Sequence, residues 1–530
     1  MVDMPDAQEI EALKKALAQA LQSNEALSGE VRVLRTERDL LQEQLNRFKR
    51  QLFDAKSEAV GATHQKDLFF DEAEAEGARA QPLAEDSDDQ VDVPAHKRAK
   101  RGRKPLDPAL PREVVRHELL EGDRVCPHDG AALAEIGVEL SEQLDIIPQQ
   151  VRVIRHERVK YACPCCDGGL RLAPKPPQVI PKGLLSEAAL AWVISAKYLD
   201  GLPLYRQAAL LGRFGGAHWS RNTLAASVVR VGAATQPVIN LLRDELLDAP
   251  IVHGDETEVQ VLKEPGRKAQ AKSYMWVQMT DGSGKKGTGP PIRLFGYRPS
   301  RGTDAAKALY EGMRSGGVLM SDGYEPYEVV ARQHSRVHLG CWAHCRRYFH
   351  DALQALPKDK RGPDQLAARF IELIGRLYHV EAQARRDKAD EQVLLRRRQQ
   401  HSKPVLDQIK ELALQHLHGV LPGSLLGKAL YYVTAQWPKL ERYVDDGRYP
   451  IDNNDCENAI RPFVIGRRNW LFADTQAGAD ASANLYSLLQ TCLVNGIDGY
   501  RYLKALLVAL PKAKTVEDFE ALLPWRIALT

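Results

Sequence analysis

"IVHGDETEVQVL", residues 251–262, sets acidic side chains into a run that is otherwise apolar and β-branched. Ile251 and Val252 precede Asp255, and Val259 and Val261 follow it, so the segment reads as a strand with a carboxylate in its middle. A carboxylate in a core strand is costly unless something neutralises it. Working outward, "SYMWVQMT" (273–280) and "IRLFGYRP" (292–299) read as two further strands joined by turn-rich loops, and "TDAAKALYEGM" (303–313) as a helix. "GVLMSDGYEPY" (317–327) is expected to be a strand that ends on Asp322 and turns at Gly323. "RVHLGCWAHCRRYF" (336–349) is a strand running into a helix.

Three strands, a helix, a strand, a helix and a strand is the order of the RNase H-like fold, a multidomain α/β expectation for this chain. First and fourth strands are neighbours in that order, so Asp255 and Asp322 can face one helix packed across the sheet. Residues 451–472, "IDNNDCENAIRPFVIGRRNWLF", supply such a helix, opened by Glu457. Three carboxylates at the meeting of two strands and a helix suit Mg²⁺ or Mn²⁺, hard ions that keep several waters and accept phosphate oxygens. Two such ions, about 3.5–4 Å apart, would serve phosphoryl transfer. The competing account makes Asp255 and Asp322 turn formers and Asn454/Glu457 a helix-capping pair. Asp452 and Asp455 are left as loop-shaping residues, and Trp470 and Phe472 as core. Residues 350–440 read as almost wholly helical and polar, too long for a loop and so an inserted subdomain.

The N-terminal part carries a different pattern. Ile10, Leu17, Asn24, Val31, Arg38, Leu45 and Leu52 recur every seven residues, interleaved with Leu13, Ala20, Leu27, Leu34, Leu41 and Phe48. This heptad repeat reads as a dimerising coiled coil, with Asn24 favouring two parallel strands, or else as one long helix lying on its own protein. An acidic stretch poor in core-formers follows, then "KRAKRGRKP" (97–105), whose Gly- and Pro-punctuated cations, Arg101, Arg103 and Lys104 among them, can lie in a minor groove or form a solvated linker. Cys126 and Asp129, then Cys163 and Cys166, flank an alternating segment as two knuckles. A zinc-ribbon-like unit with one structural Zn²⁺ is one reading; a zinc-free ribbon held by its strands is the other, since Asp129 stands where a cysteine is expected and His128 competes with it. Between 186 and 249, Ser186 caps one helix and Ser220 opens another after a Gly-containing turn, consistent with helix-turn-helix.

Composition bounds the rest. The 530 residues are 44% hydrophobic and 27% charged with a net charge of +3, as in a soluble globular protein whose polyanion binding must come from local clusters. The best apolar run, "ALAWVISA" (189–196), is far too short for a membrane span, and the polar N-terminus is no secretory signal. Eight cysteines without a disulfide-scaffold pattern point to a reducing cytosol.

The segments "HGDET", "MSDGYEPY", "HLGCWAHCRRYF" and "DNNDCENAIRPFVIGRRNWLFADTQAGADASANLYSLLQTCLVNGIDGYRYL" closely resemble the transposase of bacterial insertion sequence 66 (IS66) family elements. The resemblance extends to "RGRKPLDP", "EQLDIIPQQVRVIRHERVKYAC" and "LPLYRQ". It implies a DDE transposase that cuts element ends and joins their 3′ hydroxyls to target DNA, with Asp255, Asp322 and Glu457 as the triad. Asp322 follows Asp255 by 67 residues and Glu457 follows Asp322 by 135. Cys341 and His344 resemble a CxxH step found after the second aspartate in several transposase families and are expected to be positional. Arg461, Arg467 and Arg468 are expected to contact phosphates. The partners are double-stranded DNA at element ends and target, a second copy through the coiled coil, and accessory proteins of the element; no membrane is involved, and the site of action is the nucleoid. Rival readings are a catalytically inactive DNA-binding regulator and a metal-dependent nuclease that does not join strands.

The expected organisation is a coiled coil over 8–53, an acidic disordered linker over 54–96, a basic AT-hook-like arm over 97–113 and a zinc-ribbon-like unit over 114–175. A helix-turn-helix-like unit covers 183–249. The catalytic core covers 250–349 and 446–495, split by the helical insertion 350–445, and a helical tail covers 496–530. Metal analysis of the purified chain is expected to find zinc, with one ion per chain lost when Cys163 is changed to Ser; a zinc content unchanged in Cys163→Ser would leave the ribbon to its strands.

Overall fold

The computed structural model describes residues 151–161, 171–215, 219–281 and 289–529, with isolated helical positions between 15 and 41. The coiled coil apart from those positions, the acidic stretch, the basic arm and all four expected zinc ligands lie outside the described residues.

The architecture is mixed α/β. After a short antiparallel pair, β1 (Lys160–Tyr161) and β2 (Arg171–Leu172), come helices α1 (Glu187–Tyr198), α2 (Leu204–Gly215), α3 (Arg221–Ala234) and α4 (Gln236–Asp248). Both expected serine caps form: Ser186 Oγ accepts from Ala189 N and Ser220 Oγ from Thr223 N. These helices share one apolar core with the central sheet, Leu190, Ile194, Val228 and Leu242 packing in the same cluster as Trp276, Val277 and Phe295.

The sheet is ordered β5-β4-β3-β6-β7, with β8 (Ala473–Thr475) pairing the far end of β3. Strands β3 (Ile251–Lys263), β4 (Lys272–Thr280) and β5 (Ile292–Arg298) run antiparallel in succession, while β6 (Val318–Ser321) and β7 (Val337–Gly340) run parallel to β3. Helix α5 (Thr303–Leu309) links β5 to β6. The strand expected to end on Asp322 is present as β6, which stops one residue earlier at Ser321; after the turn Glu325 opens α6 (Glu325–Gln333), with Pro326 in its first turn.

Alternation along β3 divides the sheet into two faces. Gly254 faces Tyr310 and Tyr327 on the side of α5 and α6, where Tyr327 also reaches Glu256. Asp255 lies opposite Val277, itself opposite Phe295, which packs against Phe463 and Tyr486 of the helices on the other face. Those helices are α13 (Asn454–Trp470) and α14 (Gln476–Val494). The junction before β3 is sewn by the buried Arg336 guanidinium, which donates to the carbonyls of Ala249 (3.0 Å), Val318 (3.1 Å) and Arg314 (3.0 Å).

Between β7 and α13 the chain builds a second apolar core from α7 (Trp342–Ala355), α8 (Leu366–Arg386), α10 (Lys403–His416), α11 (Leu425–Ala435) and the short α12 (Trp437–Leu440), while α9 (Glu391–Arg397), between α8 and α10 in the chain, adds nothing to it. The expected helical character of 350–440 is therefore present. Arg396, Arg397 and Arg398 are no basic patch: a π-turn over Arg398–Ser402 turns Arg398 inward, where it binds Glu381 through two bonds of 2.8 Å. Tyr443 and Asp446 carbonyls take its remaining donors. The insertion closes where it began, Trp342 N donating to Ile451 O at 3.2 Å.

A Cβ at position 254 would run into Tyr310 Oη and stand 2.6 Å from the Tyr327 ring. Gly254→Ala is expected to cost about 1–3 kcal/mol of stability, read by denaturant unfolding, because two fully buried tyrosines must move to admit one methyl.

Candidate active site

The parallel register of β3 with β6 pairs His253 with Met320. Asp255 and Asp322 each stand two residues further along, so they lie level on adjacent strands, roughly 4.8 Å apart in backbone spacing. Asp322 sits just past the end of β6, at the carboxyl end of a parallel pair, where open α/β sheets gather ligands. Its Oδ1 accepts Tyr324 N at 2.9 Å, its carbonyl accepts Tyr432 Oη at 2.8 Å, and Gly323 turns away at φ +91° against Gln436. Two residues of the insertion, Tyr432 and Gln436, thus hold the turn that carries Asp322.

Glu457 arrives on the first turn of α13, and one residue fixes where that helix starts. The Asn453 side chain donates through Nδ2 to Gly254 O (3.0 Å), which leaves its Oδ1 to accept from His253 Nδ1 (3.0 Å). Its backbone N–H donates to Cys341 Sγ at 3.3 Å. Asn453 is the N-cap residue of α13 by position, yet its side chain caps nothing; it grips the strand just before Asp255. The expected Asn454/Glu457 capping pair does not form. Asn454 is inside the helix and donates through Nδ2 to Asp452 Oδ2 (3.0 Å). Asp452 is a buried tie, accepting Tyr378 Oη at 2.6 Å and so joining α8 to the start of α13. Asp455 is exposed.

The three carboxylates crowd one another. Burial pushes the Asp255 carboxyl well above the usual range, and the charges of Glu256 and Asp322 push it further, against the pull of the Glu256 N–H on Oδ1 at 2.8 Å. Burial likewise drives Glu457 up to about 10, with Asp255 the largest charge acting on it and Arg347 opposing. Neither oxygen of Glu457 accepts a hydrogen bond, although only 8% of the residue is exposed. A buried carboxylate without donors, facing two more acids, fits a divalent cation better than any protein partner present.

Sequence reasoning missed Asn453, and it missed Glu256, on the opposite face of β3. Tyr327 Oη (2.7 Å) and Arg301 (2.8 Å) bind Glu256, and the Arg301 guanidinium lies 4.0 Å from the Tyr324 ring centroid. The asparagine run and the adjacent acid were both visible, but nothing in them says which face each would take.

Cys341 and His344 come beside the third acid. His344 Nδ1 lies 3.3 Å from Glu457 Oε1, and Cys341, His344 and Glu457 bring one donor atom each within 4.8 Å of one another. Along α13, Glu457, Arg461 and Arg468 share a face by helical spacing, whereas Arg467 turns toward β3, its Nη1 3.5 Å from Thr257 Oγ1. Arg468 is exposed. Trp470 packs as expected, under the Lys197 ammonium (4.1 Å) and beside Tyr198. Phe472 does not: it is 42% exposed, following Leu471 at φ +68°. Arg101, Arg103, Lys104, Cys126, Asp129, Cys163 and Cys166 lie outside the described residues.

Level aspartates on two strands and a donor-starved glutamate on a helix make an acidic arrangement of the kind that can hold a divalent cation. Comparison with known sequences gives the family. The Transposase IS66 family model matches residues 182–481, and the IS66 C-terminal element matches 487–525. The zinc-finger binding domain of transposase IS66 matches 123–167, and a model described as Transposase C of IS166 homeodomain matches 40–115. The chain belongs to the IS66 family of DDE transposases. It is 33% identical to the uncharacterized protein y4qI of Sinorhizobium fredii over 440 residues, 81% of this chain and 78% of that one. It is 31% identical to the uncharacterized protein y4jD of the same organism over 425 residues, 78% and 81% of the two chains. Among the described residues no helix is long and apolar enough to cross a membrane.

Because the folded chain keeps the Glu457 proton to higher pH than the unfolded chain does, stability falls as pH rises from 4.5 toward about 10. Metal-free protein is expected to show that decline in thermal melts. Glu457→Gln should flatten it, and Mg²⁺ should oppose it by favouring the ionised carboxylate; a slope unchanged in Glu457→Gln would remove this residue from the account.

Proposed function

We propose that this transposase binds the ends of its insertion sequence and catalyses DNA strand cleavage and strand transfer, with Asp255, Asp322 and Glu457 as the acid triad. The observation that carries the reading is the buried Glu457 carboxylate, without a hydrogen-bond donor and turned toward Asp255. The strand order and the parallel β3–β6 pair support an RNase H-like catalytic core, interrupted by the helical insertion.

In this reading the three carboxylates hold two divalent cations, Mg²⁺ or Mn²⁺. Bound there, such ions activate the attacking hydroxyl and stabilise the leaving oxygen of an in-line displacement. The protein's own work is placement. Asn453 sets Glu457 against the strand that carries Asp255, and Tyr432 and Gln436 hold the turn at Asp322. Glu457 would give up its proton to bound cations, whose charge would offset the burial and the neighbouring acids that disfavour ionisation there. Arg461 and Arg468, on the helix face that Glu457 begins, are placed to meet phosphates, and Arg467 braces α13 on β3.

The N-terminal units would bring DNA and a second copy to this core. The described seam leucines are helical and open to solvent, Leu17 at 61%, Leu27 at 59% and Leu41 at 65% exposed. That supports a coiled coil with another chain over a helix lying on its own protein. The zinc-finger match supports a DNA-binding ribbon with one Zn²⁺. Element ends and target are double-stranded DNA in the bacterial nucleoid, and the element's accessory proteins are candidate partners.

Labelled element-end DNA with Mg²⁺ tests the reading. Wild type is expected to cleave and join strands, Glu457→Gln to lose at least roughly a hundredfold in rate, and Asp455→Asn to stay near wild type. Asn453→Ala should lower kcat more than it raises KM, since it displaces a catalytic group and leaves the DNA-binding units intact. Cleavage without joining would make the protein a nuclease, and inactive wild type a DNA-binding regulator.

A further inference from the structure

We propose that Cys341, His344 and Glu457 form a second metal site, selective for a soft divalent cation such as Zn²⁺, that shares Glu457 with the acid triad. The sulfur, nitrogen and oxygen donors lie within 4.8 Å of one another, close enough to converge on one ion. Three N/S/O protein ligands with a fourth position open is a common zinc arrangement.

Each donor is placed to suit a ligand. Cys341 is fully buried at the N-terminal end of α7, and Asn453 N donates to its sulfur at 3.3 Å, as backbone amides do to metal-bound thiolates. His344 lies one turn into the same helix, its Nδ1 3.3 Å from Glu457 Oε1. Glu457 is buried, and neither of its oxygens accepts a hydrogen bond. Loading the site displaces the Cys341 thiol proton and the Glu457 carboxyl proton to water and leaves a neutral cluster of one dication, one thiolate and one carboxylate. No electron transfer is needed.

The consequence follows from sharing. A carboxylate committed to a soft ion beside Cys341 and His344 is withdrawn from the hard ions beside Asp255 and Asp322, so Zn²⁺ would hold the enzyme off. Asn453 touches both arrangements, bonding Cys341 through its backbone and β3 through its side chain. The binding claim stands on the cluster alone; the inhibition claim rests on the proposed role of Glu457.

Cobalt(II) is the probe, added to the full-length chain carrying Cys163→Ser and Cys166→Ser so that ribbon thiolates do not contribute. The site is expected to give a thiolate-to-cobalt charge-transfer band at one ion per chain, bleached by Zn²⁺ and unaffected by millimolar Mg²⁺. Cys341→Ser should abolish the band, His344→Ala should weaken cobalt binding by about tenfold or more, and Asp255→Asn should leave the band in place. No band, or a band that survives Cys341→Ser, overturns the site. In the ribbon-intact chain, Zn²⁺ above that needed to fill the ribbon should inhibit Mg²⁺-dependent cleavage, with about a tenfold higher half-inhibitory concentration in Cys341→Ser. If Cys341→Ser itself proves inactive, the cobalt spectrum still decides. A band lost in Cys341→Ser with Glu457→Gln fully active would retain the site and refute the triad assignment instead.

Discussion

Two hydrogen bonds from one amide group, Asn453 Nδ2 to Gly254 O and His253 Nδ1 to Asn453 Oδ1, decide where helix α13 meets strand β3. The carbonyl and imidazole it satisfies belong to the two residues immediately before Asp255. Glu457 stands one helical turn beyond Asn453. The distance between a strand carboxylate and a helix carboxylate is therefore set by a single side chain with only two rotatable bonds. Acids that repel one another need such a fixture, because their mutual charge favours splaying the helix off the sheet.

The other supports come from the insertion. Tyr432 holds the Asp322 carbonyl, Gln436 closes over Gly323, and Tyr378 holds Asp452 at the entry to α13. An element that looks in the sequence like an interruption of the core is thus a second wall of the site. Its own apolar cluster, centred on Trp342, Phe349, Phe370 and Trp437, gives that wall rigidity independent of the sheet. Arg398, buried against Glu381 and two carbonyls, adds a polar pin whose donors are taken up in place.

Much of this was legible in the residues. Period-two alternation marked β3, β4 and β5, and serine caps at 186 and 220 marked helix starts, because both signals are local. The end of β6 was legible to within one residue, since Gly323 announces the turn that follows Asp322. The Asn454/Glu457 spacing imitated a capping box, but a neighbouring asparagine with a strand to hold displaced it by one residue. Nothing in the sequence around Arg398 announces a partner 17 residues away across a π-turn. Asp452 read as loop-shaping for the same reason: its partner, Tyr378, lies 74 positions earlier. Local chemistry names the side chains; long-range partners decide which of them are structural.

The single bond between Trp342 N and Ile451 O has a bearing on how such enzymes diverge. The chain leaves the sheet and returns to it at one point, so everything between is a loop in the topological sense, however well packed. Loop closure depends only weakly on contour length. The separation of 135 residues between Asp322 and Glu457 is then no ruler of the site, and relatives are free to lengthen or trim that excursion wherever Tyr378, Tyr432 and Gln436 or their equivalents still reach back. What natural selection must hold constant is a doorway, not a distance along the chain.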